Sequence, residues 1–173
     1  MTNRDPMADA IASTHNQPMT SWRALDALAQ RTVGTKLFTA MTFDARTGLA
    51  SRVYTNDPDS YPVAGTKPIE HNAWTAHVIE QGRTFVANDI AAIAEVFGDH
   101  ELIQSLGCES VVNVPVFAHG EMLGSINLLH EAGYYTSERV ADAEALSLSA
   151  CACFLFARQL AHTATTDSIG DSQ

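Results

Sequence analysis

The stretch GCESVVNVPVFAHGEMLGSINLLH, residues 107–130, holds two apolar runs joined by His119-Gly120. A two-residue connection ending in glycine between such runs signals a β-hairpin. That turn sets Ala118 opposite Glu121 and, by strict counting, Val112 opposite Asn127. One sheet face then carries Val111, Asn113, Pro115, Phe117, Met122, Gly124, Ile126 and Leu128. The other carries Ser110, Val112, Val114, Val116, Leu123, Ser125, Asn127 and Leu129. An antiparallel sheet with one wet side alternates apolar with polar, and this one does not. Both faces must be covered, and the buried Ser and Asn side chains must find hydrogen-bond partners.

Upstream of the hairpin, Trp22, Leu25, Leu28, Ala29 and Val33 recur at helical spacing. Thr20 or Ser21 can cap that helix and Gly34 can close it. The alternating run 37–44, a turn at ARTG and the run 48–55 predict a second hairpin. Residues 56–71 hold three prolines and a glycine, a long loop of the kind that often carries function. Asn72 caps a predicted helix with Trp74, His77 and Val78, ended by Gly82. A short strand spans 84–88, and Asp89 caps the helical piece after it. Downstream, a helix runs from Thr136 to about His162. Its second half, LSLSACACFLFARQLA, is apolar nearly all round and therefore covered on more than one side.

The chain of 173 residues, 46% hydrophobic and 17% charged, is expected to form one domain over 20–162. A flexible arm is expected over 1–19, with a short helical piece near residues 7–12, and a disordered tail over 163–173. The net charge of −10, with no cluster of Lys or Arg, argues against a nucleic-acid partner. No signal peptide is evident and the longest uncharged apolar stretch, residues 145–157, is short for a bilayer span, so a cytoplasmic location with no membrane partner is expected. Cys108, Cys151 and Cys153 lack disulfide or zinc spacing, and the seven histidines form no metal-ligand motif.

The order helix, hairpin, long loop with helices, short strand, helices, hairpin, long helix, together with SVVNVPVFAHGEMLGSINLLH, resembles the GAF domain family. The carrying residues are Val114-Pro115-Val116, the turn at Gly120, Leu123-Gly124-Ser125-Ile126, and the segment Gly82 to Asp89. The resemblance implies an α+β fold: a central antiparallel sheet of about six strands, terminal helices on one face, loops and short helices over the other. A small-molecule pocket would lie between the sheet and residues 54–106. It further implies a sensory, signal-transducing domain. The Asn-Lys-x-Phe-x-x-x-Asp-Glu pattern of cyclic-nucleotide-binding members is absent, and no cysteine sits in a bilin- or haem-attachment context.

The expected site is a cavity of roughly a few hundred Å³ bounded by at least three of Tyr54, Trp74, His77, Asp89, Cys108 and Asn127. The expected assembly is a homodimer through helices 21–33 and 137–161, with Leu148, Phe154 and Phe156 in its apolar patch. No adjoining output domain is visible, so a stand-alone module is expected. No motif selects a ligand or cofactor. Two other functions compete: a Cys108-dependent reductase of the methionine sulfoxide type, and a dimerisation scaffold whose pocket is filled by side chains.

Overall fold

The computed structural model describes residues 5–63 and 65–170, with side chains given through residue 163. The chain orders as α1 (Pro6–Ala12), α2 (Met19–Thr32), β1 (Leu37–Asp44), β2 (Leu49–Thr55), β3 (Lys67–Pro68) and α3 (Ala73–Thr75), which widens into a π-helical turn over Ala76–Glu80. Then follow β4 (Phe85–Ala87), α4 (Ile90–Ala94), α5 (His100–Ser105), β5 (Ser110–Ala118), β6 (Glu121–His130), α6 (Ser137–Ala145) and α7 (Ser147–Gly170). The strands form one sheet in the order β3-β2-β1-β6-β5-β4, with every neighbouring pair antiparallel. The fold is α+β, as the hairpins imply. The sixth strand, β3, has two residues and no alternation to announce it.

The turn between β5 and β6 is as expected: His119 and Gly120 both have positive φ, 52° and 77°, the geometry a tight two-residue hairpin requires. The register beyond it is not. Val116 pairs with Gly124 and Phe117 with Met122, so Leu123 is an extra residue on β6. A bulge of this kind shifts every later pair by one. Asn113, not Val112, therefore lies opposite Asn127, and both asparagines share a face with Val111 and Leu129. Val112, Val114, Ile126 and Leu128 take the opposite face. A second bulge sits in β2: Ala40 pairs with Tyr54 and Met41 with Arg52, leaving Val53 unopposed.

The helix-covered face is solid. Trp22 and Leu25 of α2, Phe38 of β1, Val112 of β5, and Ile126 and Leu128 of β6 pack there with Ala150, Cys153 and Phe154 of α7, all buried. Trp22 meets Phe154 edge-on, ring centroids 4.9 Å apart. At Gly124 a side chain has no room: a Cβ would run into the Met41 carbonyl and lie 2.7 Å from the Phe154 ring.

At the termini the structure carries more secondary structure than the spacing predicts, and α1 coincides with the short helical piece expected near residues 7–12. Residues 5–18 are not loose. Asp5 caps α1, Met7 is buried, and Gln17 Nε2 donates to the Ala10 and Ser13 carbonyls while its Oε1 accepts from the Ser21 hydroxyl. The helix α2 begins at Met19, one residue before the first hydroxyl cap that the sequence suggests. At the other end α7 continues through 163–170, because no proline interrupts it and extending a formed helix is far easier than nucleating one. Residues 1–4 and 171–173 lie outside the described residues. The long C-terminal helix is also broken, at Leu146, into α6 and α7. Phe154, expected on an exposed patch, turns inward at 4% exposure. Leu148, at 80%, and Leu155, at 42%, face outward.

Candidate functional site

On the far side of the sheet the packing opens. A cavity of about 520 Å³ lies between the sheet and the segment from Tyr61 to Ile103. Its floor is built by alternation: Leu37, Thr39, Met41 and Phe43 from β1, Ala50 and Arg52 from β2, Val111 and Asn113 from β5, Asn127 and Leu129 from β6. Its roof comes from Tyr61 and Ile69 of the long loop, Trp74 and Thr75 of α3, and Val96, Phe97 and Ile103 around α4 and α5. Trp74 stands 5.9 Å from both Phe43 and Phe97, centroid to centroid, so floor and roof meet in an aromatic cluster. The exposed Lys67, Pro68 and Glu70 mark the mouth.

The floor carries one connected chain of buried polar groups. Trp74 Nε1 donates to Asn113 Oδ1 at 2.9 Å, and Asn113 Nδ2 donates to Asn127 Oδ1 at 2.7 Å. Ser125 Oγ donates to the same Asn127 oxygen at 3.0 Å, and Asn127 Nδ2 donates to Thr39 Oγ1 at 3.1 Å. An indole N–H can only donate, so it fixes the orientation of the Asn113 amide, which in turn fixes that of Asn127. Each amide NH₂ has a second hydrogen that this chain does not use. The network holds both asparagines rigid and leaves donors beside an apolar cavity.

At the mouth, Tyr61 donates its hydroxyl to Asp99 Oδ2 at 2.9 Å, and the Arg52 guanidinium lies over the Tyr61 ring, 4.7 Å from its centroid. Burial, reinforced by the Asp99 charge, pushes the Tyr61 phenol above its ordinary range. Burial likewise lowers the Arg52 pKa.

Of the six side chains expected on the wall, two are there: Trp74 and Asn127. Tyr54 points to the other face because of the bulge at Val53. It stacks near Trp22 and donates to Asp26 Oδ2 at 3.0 Å. His77 Nε2 lies 3.0 Å from the Thr84 carbonyl, which fastens the π-helical turn to the chain leading into β4. Asp89 caps α4, accepting from Ala92 N at 2.8 Å. Cys108 is fully buried beside the cavity among Leu37, Tyr61, Ala87 and Leu129, but does not line it. Burial raises its thiol pKa, which disfavours the reactive thiolate. The sequence reading missed Thr39, Arg52, Tyr61 and Asn113. Alternation along β1 pointed to Thr39, and the prolines around Tyr61 marked its loop. The bulge in β6 hid Asn113, whereas Arg52, which lies opposite Met41 in unbroken register from the turn, was passed over.

Across residues 17–150 the sequence matches the GAF domain family. The chain belongs to the GAF domain family. That is a small-molecule-binding sensory fold, and the hollow side of the sheet is where this GAF domain has its cavity. Solved GAF structures share the architecture at low identity. The GAF domain of a phosphoenolpyruvate-protein phosphotransferase from Acinetobacter aligns with a TM-score of 0.67 at 11% identity, over 90% of this chain and 92% of that one. The GAF domain of a two-component sensor histidine kinase from Bacillus halodurans gives 0.64 at 12%, over 83% and 95%. Free methionine-R-sulfoxide reductase from Neisseria meningitidis, solved with its substrate, gives 0.64 at 14%, over 89% and 87%. No curated protein matches the sequence.

Proposed function

We propose that this GAF domain is a receptor for a small molecule held in the cavity between the sheet and the Tyr61–Ile103 segment. The observation that carries this reading is the pairing of an unfilled space of about 520 Å³ with a rigid polar chain, Trp74–Asn113–Asn127–Thr39, on its floor. Apolar walls with a few fixed polar groups are the usual build of a ligand site. A scaffold whose pocket had filled with side chains would have no such space. Thiol-dependent reduction is disfavoured by the burial of Cys108 and its raised pKa.

The receptor acts as a homodimer. Support comes from the C-terminal helices: Ala143 of α6, Leu146 at the break, and Ala150, Cys153 and Phe154 of α7 are buried, while Leu148 and Leu155 of α7 lie exposed. By length and composition the helical run 137–163 would also suit a membrane, but its inward stripe is anchored on β5 and β6. A second copy covers the outward stripe. Three free cysteines suit a reducing cytoplasm.

A thermal-shift panel of nucleotides, amino acids, organic acids and aromatic metabolites tests the binding reading. At least one compound should raise Tm, and Val111→Phe, which fills the cavity from the floor, should abolish that rise while the protein stays folded. A panel without any stabilising compound would sink the proposal. Sedimentation should show a dimer at micromolar concentration that Leu148→Glu dissociates.

A further inference from the structure

We infer that the ligand is a carboxylate with an apolar, ring-sized body, its carboxylate held by Arg52 and its far end by the asparagine floor. The inference rests on the binding reading above and names the chemistry of the same cavity. Arg52 is the charged side chain that the floor itself contributes, carried on β2 beside Met41 of β1. Among the described residues, its hydrogen bonding is limited to Nη1, which donates to the Pro62 carbonyl at 3.1 Å. Its Nε is shielded from solvent and has no acceptor. No carboxylate among the described residues forms an ion pair with it, and the nearby Asp99 already accepts from Tyr61. The unused edge is the one between Nε and Nη2, which matches the two oxygens of a carboxylate. A buried donor without a partner is unfavourable, and an incoming anion relieves it.

The other charges at the mouth do not compete for this role. Lys67 and Glu70 are both exposed at the rim, opposite in sign, and solvent screens them. The aromatic cluster of Trp74, Phe43 and Phe97 lines the same cavity as Arg52 and the two asparagines. Strands β2 and β6 are two places apart, about 10 Å between backbones. Arg52 and Asn127 line the same cavity from those two strands, and that separation suits a ring-sized body between them. The second amide hydrogens of Asn113 and Asn127 favour an accepting oxygen at the far end of the molecule.

The test uses calorimetric titration of the full chain with 4-hydroxybenzoate and its uncharged isostere 4-hydroxybenzamide. The acid should bind about tenfold tighter or more, the size of one charge-assisted hydrogen bond. In Arg52→Gln the acid should weaken by about that factor while the amide stays nearly unchanged, so that the preference collapses. An amide that binds as tightly as the acid, or an Arg52→Gln variant that weakens both alike, overturns the inference and leaves Arg52 as a brace for the loop at Pro62. If neither probe binds but a neutral compound of the panel does, the carboxylate assignment falls and the receptor reading stands. If nothing binds, both fall.

Discussion

The two faces of one sheet are built from the same six strands and end up opposite in character. On the helix side Trp22, Phe38, Val112 and Ile126 are fully buried and in contact. On the other side Met41 and Phe43, neighbours of Phe38 on the same strand, are half-buried around a space. Apolar content does not separate the faces. What separates them is the cover: two long helices press continuously on one, while the other is roofed by a proline-rich loop and helices of only a few residues. Short elements bridge over a sheet without filling its surface. The polar residues follow the same division, since Asn113, Ser125, Asn127 and Thr39 all lie on the hollow side and satisfy one another there.

The largest effect that could break this contrast is a pair of truncations on β1. Phe38→Ala should lower stability by about 3–5 kcal/mol, because a tightly packed site cannot collapse around the void. Phe43→Ala, five residues on but at the cavity, should lower it by about 1 kcal/mol, since much of that ring already faces space. Urea unfolding of both variants checks it, and equal losses would mean that the far side is as tightly packed as the near one.

Trp74→Phe comes next. It removes one N–H and strands Asn113 Oδ1 in a buried setting, which should lower stability by about 1–3 kcal/mol. If the indole were merely filling space, the smaller phenyl ring would be tolerated with little loss, since Trp74 already borders an open cavity. The same variant should weaken any ligand that depends on the Asn113 orientation.

The smallest effect concerns Asp26 on the helix side, which accepts from the Tyr54 hydroxyl. Burial raises its carboxyl pKa above the ordinary 3.8. The folded state therefore holds that proton more tightly than the unfolded chain does. This contribution to stability is full below about 3.8 and is lost as pH rises through the folded pKa. Asp26→Asn should be more stable than the parent near pH 7, and the advantage should shrink towards pH 4. A constant difference across that range would show that water reaches the carboxylate and that the solid face is less tight than Trp22 and Tyr54 suggest.

Most of the architecture was legible in the residues. Alternation over 37–44, the glycine turn at 119–120 and the helical stripe from Trp22 to Val33 each state their own geometry. Gly34, Gly82 and Gly107 mark element ends with φ of 85°, 64° and 71°, conformations that side chains other than glycine rarely adopt. The site was less legible for a specific reason. Which face a strand residue takes depends on counting by twos, and a single bulge inverts the count. Val53 turned Tyr54 to the helices and left Arg52 in the cavity. Leu123 brought Asn113 opposite Asn127. Neither residue differs from its neighbours in any way that a sequence shows. Trp74 was found because helical periodicity survives without a partner strand. Cys108 was misplaced because nearness to Gly107 along the chain says nothing about the direction of the thiol.

The two tryptophans offer the most direct measurement, since one sits on each face. Trp22 is buried in the solid core with its indole N–H unpartnered, and Trp74 donates to Asn113 on the cavity floor. A ¹H–¹⁵N spectrum should show two indole signals, assigned by the loss of one in Trp74→Phe. Titration with the tightest compound of the panel should move the Trp74 signal saturably and leave that of Trp22 in place. Movement of Trp22 with Trp74 unaffected, or a bound compound that shifts neither, would contradict a ligand site on the hollow face of the sheet.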